Sequence, residues 1–372
     1  MRMTGGWMAL LTVVACGEAS QVQPDNVAGD KQSAVRSPRP PRPEVHWTRE
    51  RIVGLAAPEI APRDVQLLIP TGVAPPEGGW PFLLVMDGQS AFEPTFAVDT
   101  HLMALVHEGL VEPCVVIAVP SVARSREFTP TDHPTNVRRF AAYLVDVVLP
   151  AVALRVPLRD AGAILGFSYG GLAAVWAGLL FPQRFAQVFA HSPSLWFDQQ
   201  AVLRAVQDAP RLPGRWWVDV GGAESDARAA VPPMVSDARA LRDVLIDRGF
   251  ELGGDLGYHE APGRPHAAQQ VGGRMRRALR FGFGPRCPAA HLDVSLTQGR
   301  FIPGYRGTLT VDARCPDGQS WTLPNRDVSF WVQSVEARLA GDGVWTRAFR
   351  GHAMVTARYR GLERSVEFRR PP

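Results

Sequence analysis

The stretch that most constrains this chain is an apolar run that meets a serine flanked by glycines and then a segment with helical spacing. Ala163-Ile164-Leu165 leads straight into Gly166-Phe167-Ser168-Tyr169-Gly170. Gly171 to Leu180 follows, with Leu172, Val175, Trp176 and Leu179 three or four apart, and Pro182 stops it. A buried strand that turns at once into a helix leaves no room for side chains two positions either side of the turn residue, so glycine is required there. The serine at such a turn stands clear of the backbone. A serine between glycines carries little weight alone, because glycine makes up 35 of the 372 residues. The order strand, turn, helix gives the pattern its meaning.

The surrounding sequence fits that local geometry. Val65 to Ile69, Phe82 to Met86, Val115 to Val119, Phe185 to Ala190 and Trp216 to Val220 are short apolar runs. Runs apolar at every position belong to strands covered on both faces. Between them, Phe96 to Gly109 is predicted helical. So is Asn136 to Pro150, with Phe140, Tyr143, Leu144 and Val147 on one face, and 234 to 248, with Met234, Ala238, Leu241 and Leu245 in register. Strands alternating with helices over 47–284 predict a mostly parallel sheet with right-handed crossovers. After residue 288 the texture changes. Thr308 to Ala313, Val328 to Val335 and Ala353 to Tyr359 are strand-like and separated by turns such as Pro316-Asp317-Gly318. They predict a small all-β antiparallel sandwich over 288–372.

The ends and the composition narrow the function. Arg2 and the apolar run Trp7 to Ala15 have the form of an export signal, too short for the ~20 residues of a membrane-spanning helix. Val13-Val14-Ala15-Cys16 resembles the lipobox of bacterial lipoproteins. That resemblance implies cleavage before Cys16, acylation of its thiol and a place in the cell envelope, at an outer membrane given Gly17. Residues 17–46 are polar and Pro-rich, the composition of a flexible tether. The formal charge is +4, but Arg residues are interspersed with Asp and Glu and Lys31 is the only lysine. A nucleic-acid face needs a concentrated basic stripe, so that class is excluded. Cys114 precedes a buried run and is expected to be a small core residue. Cys287 and Cys315 are candidates for a disulfide, which export would permit. No spacing suggests a metal site, and no organic cofactor is implied.

A nucleophilic serine needs a general base, and the base needs an orienting acid. In α/β-hydrolases they follow in the chain order Ser, acid, His. The loop after Trp216 to Val220 offers Glu224 as first choice for the acid and Asp226 as second; Asp219 lies within the strand itself. Of two downstream histidines, His259 sits in a strand-like segment and His266 in a loop, so His266 is the expected base. Tyr169 N–H is one expected oxyanion donor. The other comes from Gly88 or Gln89, after the strand that ends at Met86.

Together, Met86-Asp87-Gly88, Arg126-Glu127-Phe128-Thr129-Pro130, Leu165 to Gly171, Ser192-Pro193-Ser194-Leu195-Trp196, the Gly221–Glu224 loop and Glu260–His266 resemble an esterase family. It includes siderophore (enterochelin) esterases, feruloyl and acetyl-xylan esterases and mycolyltransferases. The resemblance implies an α/β-hydrolase fold over 47–284 and cleavage of a carboxylic ester through an acyl-enzyme. It also implies a small-molecule or glycan-linked ester as substrate, with Arg126 near the substrate entrance. Gly351 to Gly361 resembles the last strands of bacterial Ig-like domains. The competing classes are an acyltransferase of the same fold and a non-catalytic surface-binding protein.

Overall fold

The computed structural model describes residues 44–130, 135–224, 233–301, 304–316, 318–333 and 352–369. The expected export signal with Cys16, most of the tether, and Asp226 lie outside the described residues.

The chain enters through an antiparallel hairpin, β1 (His46–Ala57) and β2 (Ile60–Thr71). Five parallel-paired strands and a sixth that also binds β2 follow: β3 (Phe82–Met86), β4 (Val115–Val119), β5 (Gly162–Phe167), β6 (Phe185–His191), β7 (Arg215–Gly221) and β8 (Leu256–Ala261). They form an 8-stranded sheet in the order β1-β2-β4-β3-β5-β6-β7-β8, antiparallel only where β2 meets β1 and β4. Successive strand side chains point to opposite faces. Phe82, Leu84 and Met86 therefore join one core, and Leu83 and Val85 join the other. Trp216 and Trp217 divide in the same way. Both faces are covered, which is why these runs lack the polar alternation of a half-exposed strand.

The crossovers are α1 (Val98–His107), α2 (Arg124–Phe128), α3 (Asn136–Tyr143), α4 (Leu149–Ala153), α5 (Tyr169–Leu180), α6 (Phe197–Asp208), α7 (Met234–Asp247) and α8 (Gly272–Phe283). α1 packs on α8 on one face; the series α3, α5, α6, α7 covers the other. The helix predicted over Asn136 to Pro150 is interrupted by a π-turn at Leu144–Val148. Pro150 has no N–H to donate to Asp146 and its ring crowds that carbonyl, so the backbone widens just before it. β1 has no counterpart in the sequence reading because it is an edge strand whose side chains, apart from Ile52, are not buried.

Beyond α8 the expected antiparallel strands form two three-stranded sheets. β9 (His291–Phe301), β10 (Gly304–Arg314) and β11 (Ser320–Thr322) make the first; β12 (Ser329–Gln333), β13 (His352–Tyr359) and β14 (Leu362–Arg369) make the second. Leu309, Ala353, Val355 and Val366 form a small core between them. Leu292, Val311, Ala313, Trp321, Leu323 and Tyr359 instead join the large core of the parallel sheet. Thr322 Oγ1 accepts the Glu260 N–H at 3.1 Å, and Arg360 Nη1 donates to Glu251 Oε1 at 3.1 Å. This unit is therefore fused onto the β8 side of the sheet. Open clefts of about 430 and 360 Å³ lie along the seam, and neither is lined by Ser168.

The disulfide expected between Cys287 and Cys315 is not present in the structure. Cys315 Sγ donates to the backbone carbonyl of Cys287 at 3.0 Å. A disulfide needs the sulfurs ~2.05 Å apart at a set torsion, and here one sulfur faces backbone instead.

Candidate active site

Ser168 connects β5 to α5 with φ 60° and ψ −117°, a conformation L-residues rarely adopt. Its N–H donates to the His191 carbonyl (3.0 Å), and its own carbonyl accepts from Leu172 (3.0 Å) and Ser194 (3.1 Å). These bonds hold the strained turn. A Cβ on Gly166 would sit 2.1 Å from the Gly170 carbonyl oxygen, which explains the glycine requirement.

The other two expected residues reach this serine from the ends of neighbouring strands. His266 Nε2 lies 3.1 Å from Ser168 Oγ, and His266 Nδ1 lies 2.9 Å from Glu224 Oε2. With the carboxylate accepting at Nδ1, Nε2 is free to accept the serine proton. The imidazole stacks on Phe167, centroids 4.9 Å apart at 23°. The acid and base loops are zipped together: Gly222 N–H donates to Ala261 (2.8 Å) and Ala223 N–H to Arg264 (3.0 Å).

Glu224 is fully buried. Its Oε1 accepts from Gly221 N–H at 2.6 Å and Ser192 Oγ at 2.7 Å. Beneath it lies Asp219, also fully buried, bonded to His191 Nδ1 (2.6 Å) and Trp217 Nε1 (2.8 Å) and paired with Arg274 (2.7 Å). Burial by itself would raise the Asp219 carboxyl. The Arg274 cation, His191 and the two hydrogen bonds outweigh it and hold the group well below the usual carboxylate range. His259 is buried in β8 and lies against Trp217, away from the serine. Burial keeps its proton affinity below the ordinary histidine value despite the nearby Asp312.

Tyr169 opens α5, so its N–H is among the donors a helix leaves without an intrahelical acceptor. Gly88 and Gln89 open a single 3₁₀ turn after Asp87, itself left-handed at φ 54°. A Cβ on Gly88 would lie 2.3 Å from the Val119 backbone nitrogen. Gln89 is tied to Ser121, whose hydroxyl donates to Asp87 Oδ1 at 2.8 Å.

Arg126 lies on the exposed side of α2. Its neighbour Glu127 turns inward to a buried pair with Arg63 at 2.7 Å. The arginine at the serine turn is Arg124, which the sequence reading did not single out although it stands two residues before Arg126. It donates to both Asp87 oxygens at 2.9–3.0 Å and to the Phe167 carbonyl at 3.1 Å. Ser194, Ser192 and Arg274 were likewise not marked as site residues. Tyr169, the residue after Ser168, packs with Trp196 and Phe197 in an aromatic cluster with centroids 5.6–6.3 Å apart. Among the described residues no group of three or more His, Cys, Asp and Glu could hold a metal ion.

An eight-stranded sheet in this order, with a serine at the sharp turn after β5, defines an α/β-hydrolase. Residues 61–252 match the profile of the family described as Esterase, Putative esterase, and the chain belongs to that family. The match includes Ser168 and Glu224 and ends before His266. The chain is 32% identical over 204 residues to the iron(III) enterobactin esterase of Dickeya dadantii (strain 3937), covering 49% of this chain and 44% of that protein. It is 22% identical over 204 residues to the uncharacterized protein YbbA of Bacillus subtilis (strain 168), covering 50% and 80%. This chain thus spans less than half the length of the Dickeya relative. Among solved structures, an IroE-like serine hydrolase from Shewanella oneidensis superposes with a TM-score of 0.52 at 17% identity, covering 63% of this chain and 79% of that one. The BES protein from Bacillus cereus gives 0.51 at 20%, covering 70% and 100%. At these identities the superpositions speak for the fold alone.

Proposed function

We propose that this protein is a serine carboxylic-ester hydrolase in which Ser168, His266 and Glu224 form the catalytic triad. The supporting observation is the unbroken line from Ser168 Oγ to His266 Nε2 (3.1 Å) and from His266 Nδ1 to Glu224 Oε2 (2.9 Å). In this reading Ser168 Oγ attacks the ester carbonyl while His266 Nε2 takes its proton. The carbonyl oxygen becomes an oxyanion held by the N–H groups of Tyr169 and of Gly88 or Gln89. Collapse expels the alcohol, protonated by His266, and leaves an acyl-Ser168 ester. Water, deprotonated by the same imidazole, attacks that ester and releases the acid.

The substrate proposed first is a siderophore ester, on the strength of the names of the enterobactin esterase relatives. The aromatic cluster at Tyr169 is compatible with a flat aromatic acyl or amide group. A polysaccharide-linked acyl ester is the second substrate class. Export and acylation at Cys16, with attachment to an outer membrane through the 17–46 tether, complete the proposal; the N-terminal sequence supports that part. An acyltransferase would use the same acyl-enzyme and differ only in the acceptor.

The test is a panel of short-chain p-nitrophenyl esters and a catecholate siderophore ester, with Ser168→Ala as control. Loss of more than ~10³-fold in kcat/KM in the variant is expected. Wild-type activity in Ser168→Ala would remove the nucleophile from the account, and product analysis with added alcohols separates hydrolysis from transfer.

A further inference from the structure

α8 sends a charged side chain inward beneath the triad. Arg274 is 3% exposed, and a guanidinium is tolerated at such depth only when its charge is matched. Its Nη1 lies 2.7 Å from Asp219 Oδ1, and its Nη2 donates to Ser192 Oγ at 2.9 Å. The same Nη2 is 3.8 Å from Glu224 Oε1. Ser192 is fully buried and left-handed (φ 41°), and its N–H is fixed on the Asp219 carbonyl at 2.7 Å.

The chemistry of these groups fixes the direction of each bond. Arginine can only donate and an ionised carboxylate can only accept. With Arg274 donating to Ser192 Oγ, the single hydroxyl proton of Ser192 is left for Glu224 Oε1, 2.7 Å away. Gly221 N–H takes the same oxygen at 2.6 Å. Oε1 is therefore saturated, and Oε2 is the oxygen turned to His266 Nδ1.

We propose that Arg274 and Ser192 are positioning residues for the acid of the triad: Arg274, paired with Asp219, sets the Ser192 hydroxyl on Glu224 Oε1 so that Glu224 presents Oε2 to His266. This rests on the reading of Ser168, His266 and Glu224 given under Proposed function. Neither residue touches the substrate. Without the guanidinium the Ser192 hydroxyl is free to rotate off Oε1, which then keeps only the Gly221 N–H, and the carboxylate is no longer held with Oε2 toward Nδ1.

The charged and titratable groups facing this acid are His266 and, on α8, Arg274; Arg274 is paired in turn with Asp219 on β7, which His191 on β6 faces. Behind them stand His259 on β8, Arg277 one turn further along α8 and Asp312 on β10. His191 is fully buried, with Nδ1 on Asp219 Oδ2 at 2.6 Å and no hydrogen-bond partner on Nε2.

The experiment measures steady-state kinetics and kcat/KM against pH for the full chain carrying Arg274→Met, Arg274→Lys or Ser192→Ala. Arg276→Ala, an exposed partner of Glu108 on the same helix, is the control. Arg274→Met is expected to lower kcat about ten-fold with KM within two-fold. Its acid limb should move to higher pH, the direction expected when a buried cation is removed from beside the site. Arg274→Lys should return the acid limb toward wild type while recovering kcat only in part, because an ammonium cannot serve Asp219 and Ser192 with the same fork. Ser192→Ala should lower kcat about three- to ten-fold at unchanged KM. A purely structural role gives a lower melting temperature with wild-type kcat and acid limb in Arg274→Met, and that result overturns the proposal. If Arg274→Met does not fold, Ser192→Ala decides: kcat within two-fold of wild type overturns it. Full activity in Ser168→Ala would instead strike at the triad reading itself.

Discussion

Replacing Arg124 with methionine should impair the proposed oxyanion site without altering either of its proposed donors. The guanidinium spans the two segments that supply those donors. It holds both oxygens of Asp87, the residue before Gly88, and the carbonyl of Phe167, the residue before Ser168. Asp87 is left-handed (φ 54°), so the loop it begins is set by side-chain anchors more than by backbone preference. Deleting a donor outright costs about 3–4 kcal/mol of transition-state stabilisation. Arg124→Met deletes none, and Ser121 Oγ still holds Asp87 at 2.8 Å. About half of that cost is a reasonable share, some 1.5–2 kcal/mol, or roughly a 10- to 30-fold fall in kcat. The Arg124 side chain is 36% exposed, so the ion pair itself adds only about 1 kcal/mol or less to folding stability. Steady-state kinetics with p-nitrophenyl butyrate, together with a thermal melt, measure both quantities. A folded variant with kcat within two-fold of wild type, or one altered in KM alone, would refute the reasoning; the second result would make Arg124 a substrate contact.

Gly88→Ala places a methyl group 2.3 Å from the Val119 backbone nitrogen, a clash that no rotamer change relieves. We expect kcat to fall at least about 100-fold, and ordinary turnover would show that the loop can shift harmlessly. Gly253→Ala adds a Cβ 2.4 Å from the Trp321 ring at a residue with φ +84°, at the seam with the C-terminal sheets. A loss of about 1–3 kcal/mol in denaturant unfolding is expected with kcat unchanged, and an unaltered midpoint would mean the seam is loose. His259 carries a third expectation. Its native proton affinity lies below the ordinary value, so beneath about pH 6.5 the unfolded chain binds a proton that the folded chain does not. Stability therefore falls as pH drops below that value, by up to about 1.4 kcal/mol per pH unit for each such proton. Melts from pH 7.5 to 5 should flatten in His259→Gln; equal slopes would assign the effect elsewhere, first to His101, which burial also lowers.

The parallel sheet was legible in the sequence because its strands are buried on both faces, so Phe82 to Met86 and Val115 to Val119 are apolar at every position. The serine turn was legible because a Cβ at 166 would meet the Gly170 carbonyl oxygen at 2.1 Å and one at 170 would crowd the Asp87 carboxylate at 3.2 Å. Glu224 and His266 could be selected because chain order and loop position restrict the acid and the base. By contrast β1 was invisible, since an edge strand with one buried side chain has no apolar signature. Arg124 and Arg274 were invisible, and Ser192 was visible only as part of a motif, for a different reason: a polar side chain's role depends on which distant groups meet it, and local sequence holds no record of that. Arg126 and Arg124 are both arginines of one short helix, and only folding turns one to solvent and the other to the Phe167 carbonyl. The pairing of Cys287 and Cys315 failed likewise, because spacing cannot say where a sulfur points. The sequence by itself determined the pattern of burial, and hence the strands, the crossovers and the turn at Ser168, since burial leaves a periodic trace in composition. The tertiary structure alone decided how buried charge is matched beneath the triad and that the C-terminal sheets share the hydrolase core. Both are contacts between segments far apart along the chain, made by side chains whose partners no local pattern names.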